Sequence, residues 1–273
     1  MEEKPVSIQL YSDVHLDYRG HGLPRVAGKA DYLLLAGDIG RAGTVAYRLW
    51  LLRVASMFKQ VLMVSGNHEY YNKPNVPKWA MGKTMKEIDG EQEILCEKIN
   101  ERVGKDRVVY LGGMGKSVRI ANGRYKVIGG TLWTDVPKEL EGNAGLLMTD
   151  YTTICSDPGK LVTPSELTDM HHKTLDFIKT ELAEPNCPPT IILTHHAPLL
   201  EASDTPYSDV LHCYCTDLEK MAKPPIVMWA FGHTHIPFDK TINGTRFISR
   251  PWEVYKNTMS ISTKQYSSPI LLH

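Results

Sequence analysis

Val6-Ser7-Ile8-Gln9-Leu10-Tyr11-Ser12-Asp13-Val14-His15 is an apolar run of strand length that stops at a carboxylate and an imidazole two residues apart. The same pattern returns in Tyr32-Leu33-Leu34-Leu35-Ala36-Gly37-Asp38 and in Val61-Leu62-Met63-Val64-Ser65-Gly66-Asn67-His68-Glu69. It returns twice more, where residues 190–193 run into His195-His196 and residues 226–231 run into Gly232-His233-Thr234-His235. Short apolar runs bounded by turn residues read as buried strands. Between the second and third runs, Val45, Leu49, Leu52, Ala55 and Met57 keep the spacing of an amphipathic helix over residues 44–58. Strand, helix and strand therefore alternate, with polar side chains gathered at strand C-termini. That is the edge where open parallel sheets bind ligands.

Working outward, Ile88, Ile94, Leu95, Ile99 and Val103 predict a helix over residues 81–103, weakened at Gly90. Three β-like runs follow (residues 108–110, 117–120 and 125–128). Asn122-Gly123 joins the last two as a hairpin, a dipeptide that accepts positive φ at both positions. Asn243-Gly244 predicts a second hairpin within residues 238–249. Thr163 and Glu166 stand at capping-box spacing with Pro164 at the first helical position, so a helix should run from there to about Leu182. Residues 140–161 show no clear period and read as a long loop or cap. With no repeat or linker evident, residues 1–273 are expected to form one domain.

Apolar residues make up 42% of the 273, enough for a sizeable core. Lys+Arg and Asp+Glu balance at 31 each without a block of like charge, so no extended nucleic-acid surface is expected. The five cysteines are odd in number and scattered, which favours a reducing compartment. The opening Met1-Glu2-Glu3-Lys4-Pro5 has no signal-peptide core and the apolar runs are too short to span a membrane, so a cytoplasmic protein is expected.

The five motifs gather carboxylate, amide and imidazole groups, the set that a two-metal hydrolytic centre requires. Asp13 and His15 sit at i and i+2 and can enter one crevice; His233 and His235 do the same. Asp38 is the natural bridging carboxylate, Asn67 offers an amide oxygen without charge, and His195 adds another imidazole. Such a mixture of oxygen and nitrogen donors suits two divalent ions of Mn, Fe or Zn better than Ca or Mg. His68, left over beside Asn67, is placed to hand a proton to a leaving alkoxide, with Glu69 or another carboxylate to orient it. Each motif alone has a plainer reading as a turn or helix cap. Their joint order at five strand ends is what argues for chemistry.

The series Asp-x-His, Gly-Asp, Gly-Asn-His-Glu, His and Gly-His-x-His resembles the calcineurin-like metallophosphoesterase superfamily over about residues 8–254. Residues 12–16, 132–135, 148–151 and 195–198 further resemble a subgroup of small members. The resemblance implies a four-layer α/β/β/α sandwich of mixed sheets with a dinuclear site at the strand C-terminal edges. It implies that Asp13, His15, Asp38 and His235 hold one ion, and that Asp38, Asn67, His195 and His233 hold the other. His195 is preferred to His196 for its place directly after the strand. A bridging hydroxide would attack phosphorus in line while His68 protonates the leaving group, giving a metal-dependent hydrolase of phosphomonoesters or phosphodiesters with a small phosphoester or nucleotide-like substrate. The alternative is a catalytically silent scaffold or binding protein of the same fold. The chain departs from the subgroup at Thr149, Thr152 and Arg250-Pro251-Trp252-Glu253, where substrate contacts are in question.

Other residues invite chemistry less strongly. His212-Cys213-Tyr214-Cys215 lacks the second pair that would complete a zinc site. His171-His172 is expected at a helix surface, and Trp133 and Trp252 in packing. Arg41 lacks the surrounding sequence of a Ser/Thr protein phosphatase.

Overall fold

The computed structural model describes residues 4–16, 24, 26, 28–72, 82–205, 208–252 and 268–272. The first half lays down β1 (Val6–Tyr11), β2 (Tyr32–Ala36), α1 (Val45–Ala55), β3 (Gln60–Val64), α2 (Met85–Val103) and β4 (Val108–Tyr110). There follow β5 (Lys116–Ile120), β6 (Tyr125–Gly130), α3 (Glu141–Leu147), α4 (Asp150–Thr153), β7 (Cys155–Asp157) and β8 (Lys160–Leu161). The last part supplies α5 (Pro164–Leu182), β9 (Thr190–Thr194), α6 (Ser208–Leu211), β10 (Ile226–Phe231), β11 (Phe238–Ile242), β12 (Thr245–Ser249) and β13 (Ile270–Leu272).

The strands make two mixed sheets, ordered β13-β1-β2-β3-β4 and β11-β12-β10-β9-β6-β5, and β7 pairs with β8 as a separate ribbon. In each large sheet four parallel strands stand next to one another, with antiparallel strands at the margins. The layers follow from the two-residue period of a strand. Leu33, Leu35, Val61 and Met63 face a core shared with Tyr47, Trp50 and Leu51 of α1 and Leu95 and Ile99 of α2. Their neighbours Leu34, Ala36, Leu62 and Val64 face the opposite way, onto Ile191, Leu193, Met228 and Ala230 of the second sheet. Ile192, Trp229, Phe231 and Phe247 then turn outward to meet Leu175 and Ile178 of α5. Three stacked cores make four layers, α/β/β/α. The inner strands read as continuous apolar runs because both of their faces are buried.

Local sequence fixes the element ends. Thr84 and Glu87 form a reciprocal capping box that starts α2 at Met85, so the helix begins later than residue 81, which itself lies outside the described residues. Thr163 and Glu166 make the same box ahead of α5. The hairpins turn where expected, with φ of 56° and 87° at Asn122 and Gly123 and of 48° and 85° at Asn243 and Gly244.

Residues 140–161 are not a long loop. They fold into α3, α4 and the β7-β8 ribbon, and they bury Ala144, Tyr151 and Ile154 in a fourth apolar cluster with Tyr70, Met85, Ile88 and Trp133. Elements of two to seven residues are too short to show a period, which is why their pattern gave no helix. The helix surface expected at His171-His172 also needs correction. His171 is buried and its Nδ1 faces the Trp133 carbonyl, whereas His172 lies on the outside, 3.5 Å from Asp135. Trp133 packs in the fourth cluster, and Trp252 sits edge-on to Tyr11. Cys213 and Cys215 are buried in two different apolar clusters, and no group of metal-type side chains forms around them among the described residues.

Candidate metal centre

The two sheets end side by side, and main-chain hydrogen bonds lash their terminal loops together. Asp13 N donates to Gly37 O at 3.0 Å and His15 N to Asp38 O at 2.9 Å, extending the β1-β2 pairing into the loops. On the second sheet Gly232 N donates to His195 O at 2.9 Å. Across the sheets, His233 N donates to Asp13 Oδ1 at 3.1 Å.

Backbone conformation aims the side chains. Asp13, His15, Asp38, His233 and His235 all take left-handed φ, between 47° and 69°. That region costs a non-glycine residue of order 1–3 kcal/mol, and such strain gathers at functional sites. Gly66 is glycine for a steric reason. A Cβ there would lie 2.2 Å from Asp38 Oδ1 and 2.6 Å from His195 Cε1.

The side chains converge on Asp38. Its Oδ2 lies 3.8 Å from His15 Nε2, and its Oδ1 lies 3.5 Å from His195 Nε2 and accepts from His68 N at 2.9 Å. Asp13, His15, Asp38 and His235 bring one ligand-type atom each to within 4.8 Å of one another, and so do Asp38, His195 and His233. Asn67 joins the second group, its Oδ1 being 3.0 Å from His195 Nε2. Every residue expected from the motifs is thus drawn into one cluster. His195 Nδ1 lies 2.9 Å from the Ala36 carbonyl, so its proton resides there and Nε2 is left as a lone pair facing Asp38. His196 turns elsewhere, its Nδ1 3.3 Å from Thr131 O and its ring against His233 and Trp133.

His68 is buried on one side only, with 28% of its side chain exposed. Its Nε2 lies 3.9 Å from Asp38 Oδ2 and its ring stacks on Tyr71 at 4.3 Å. Glu69 does not orient it. The buried Glu69 carboxylate accepts from four main-chain N–H groups, those of Asp38 (2.9 Å), Ile39 (2.7 Å), Gly40 (3.1 Å) and Gly66 (2.8 Å). It ties the Gly-Asp loop to the Gly-Asn-His-Glu loop. The sequence shows an acid in the right loop but gives no sign of which donors it takes.

The electrostatics are those of a cation site. Burial, with the nearby charges of Glu69 and Asp13, pushes the Asp38 carboxyl well above its ordinary pKa. Asp13 is opposed by burial too, but hydrogen bonding and charge from His235 bring it down to about 2. Burial and neighbouring histidines lower His68 to about 3, and burial lowers His195 to about 4. His233 Nε2 is buried without a hydrogen-bond partner among the described residues. Crowded carboxylates, neutral imidazoles and an orphaned ring nitrogen fit divalent metal, whose charge would relieve all three.

A family model described as calcineurin-like phosphoesterase matches residues 10–237. An uncharacterized protein of Acanthamoeba polyphaga mimivirus is 25% identical over 267 residues, with 87% of each chain covered. Phosphopantetheinyl hydrolase (PptH) from Mycobacterium tuberculosis has a similar structure, with a TM-score of 0.65 at 19% identity, covering 98% of this chain and 96% of that one. At that identity the likeness is one of fold. The match spans the five motif loops from Asp13 to His235, and the chain belongs to the calcineurin-like phosphoesterase family.

Proposed function

We propose that this protein is a dinuclear metal-dependent hydrolase of phosphomonoesters or phosphodiesters. The observation that carries the reading is Asp38, whose two carboxylate oxygens face two separate donor groups, His15 at 3.8 Å and His195 at 3.5 Å. Asp13, His15, Asp38 and His235 would hold one ion, and Asp38, Asn67, His195 and His233 the other; the mixed oxygen and imidazole donors favour Mn, Fe or Zn. Divalent ions there would supply Lewis acidity toward phosphoryl oxygens and lower the pKa of water.

The chain's own groups do the rest. Glu69 and the left-handed loops hold the donors in place before substrate arrives, so little reorganisation accompanies reaction. His68 borders the cluster with its exposed side open to substrate, where it can pass a proton to the departing oxygen. A bound phosphoester supplies the negative charge that favours the protonated ring. No helix among the described residues is long and apolar enough to cross a membrane. With five free cysteines, four of them buried, we place the protein in the cytoplasm acting on a small or nucleotide-like phosphoester.

The test is hydrolysis of p-nitrophenyl phosphate and bis-p-nitrophenyl phosphate by metal-stripped protein, with Mn, Fe, Zn, Mg or Ca restored. A phosphopantetheinyl ester belongs in the panel because the structural neighbour is named for that substrate. Metal-restored turnover that His68→Ala lowers supports the hydrolase and rejects a silent scaffold. No turnover with any metal or ester, from protein shown to hold metal, would sink it.

A further inference from the structure

Resting on that reading, we infer that Asp150, with Tyr71, is a positioning residue that locks the Asn67 amide with its oxygen toward the second metal position. Asp150 belongs to α4, in the segment that showed no period in sequence, and its side chain is buried. Its Oδ1 accepts from Asn67 Nδ2 at 2.9 Å and from Tyr71 OH at 3.1 Å, and Asn67 Nδ2 also donates to Tyr71 OH at 2.9 Å.

The triangle has one consistent direction. Asp150 Oδ1 takes both bonds as acceptor, so the Tyr71 hydroxyl spends its proton there and offers Asn67 a lone pair. Both amide hydrogens of Asn67 are then used, one on Asp150 and one on Tyr71. The amide oxygen has a single remaining direction, toward His195 Nε2 at 3.0 Å. An unrestrained amide could turn by half a rotation and present its NH2 group, which cannot ligate a cation. The Tyr71 ring that completes the triangle also carries His68 on its face, at 4.3 Å and 30°. One carboxylate from the α3–β8 segment therefore fixes a ligand directly and braces the proton donor through one intervening ring.

Outer partners of this kind typically contribute about 10–100-fold to metal affinity. The test is titration of metal-stripped protein with Mn(II), followed by calorimetry and by the electron paramagnetic resonance of the bound ions. Wild type should take up two ions and show the spectrum of an exchange-coupled pair. Asp150→Ala should retain the first ion near wild-type affinity, lose about 10–100-fold at the second, and show isolated Mn(II) in place of the pair. Asp150→Asn, which keeps an acceptor oxygen, should restore part of the loss. Thr153→Val serves as the control for folding. It disturbs α4 through the bond from Thr153 Oγ1 to Thr149 O without touching Asn67, and it should leave both affinities unchanged. Two tight ions and a coupled spectrum in folded Asp150→Ala would overturn the inference and leave the hydrolase reading standing. Equal losses in Thr153→Val would reduce Asp150 to a packing role and overturn it too. A wild type that binds no ion would overturn both.

Discussion

The two sheets bring different chemistry to their common edge. The loops after β1, β2 and β3 supply all the oxygen donors, Asp13, Asp38 and Asn67, together with His15 and His68. The loops after β9 and β10 supply only imidazoles, His195, His233 and His235. Neither edge alone has a complete donor set. The centre exists only when the middle core, in which Leu34, Leu62, Leu193 and Ala230 meet, brings the sheets together. Asp38 joins the two edges, because it lies on the first sheet and faces histidines from both. Segregating the donors couples assembly of the site to packing of the fold, and metal bound across the junction would stabilise the folded state by mass action.

The largest expected effect comes from breaking the junction at Asp38. Asp38→Asn should lower turnover to the solution background, since several kcal/mol of metal-centred stabilisation depend on that carboxylate. Steady-state hydrolysis of bis-p-nitrophenyl phosphate measures it, and retained activity would show that the sheets need no shared carboxylate. His68→Ala is next, at about 10²–10⁴-fold on an alkyl phosphate. The loss should be smaller on p-nitrophenyl phosphate, whose leaving group needs less protonation; equal losses on the two esters would remove His68 from proton transfer.

Acid should then separate the contributions of the imidazoles from that of the carboxylate in metal-free protein. His68 and His195 titrate in the fold at about 3 and about 4, below their ordinary value of about 6.5. Between pH 6.5 and 4 the unfolded chain takes up protons that the folded state refuses, so stability falls as pH falls. The slope is about 1.4 kcal/mol per pH unit for each histidine. Asp38, raised by burial and neighbouring carboxylates, works in the opposite sense: above its unfolded value the folded state retains a proton that the unfolded chain has lost. Urea unfolding across this range should thus show Asp38→Asn losing stability more steeply than wild type. A shallower curve would contradict the assignment of opposite signs to imidazole and carboxylate. The smallest effect is steric. Gly66→Ala forces a methyl against Asp38 and His195 and should cost about 1–3 kcal/mol, read as a lowered Tm.

How far the sequence could be read differs along the chain. The strands were legible because alternate residues feed different cores, leaving unbroken runs such as Leu33-Leu34-Leu35. The helix over residues 85–103 was legible in type, and its start was set by a capping box that the apolar spacing alone did not place. The α3–β8 segment was opaque because its elements are shorter than a period and held by tertiary burial. His171 looked like a surface residue beside His172, yet one helical step turns it inward onto the Trp133 carbonyl.

The sequence by itself determined which groups could meet. A strand deposits its terminal residues at a sheet edge, so five strand ends carrying Asp, His and Asn already imply a shared cluster. Tertiary structure alone decided how those groups are held. Asp150 lies 83 residues from Asn67, and Glu69 binds N–H groups about 30 residues away. A hydrogen bond across such a separation leaves no local period or propensity, because its partners are neighbours only after the layers have packed.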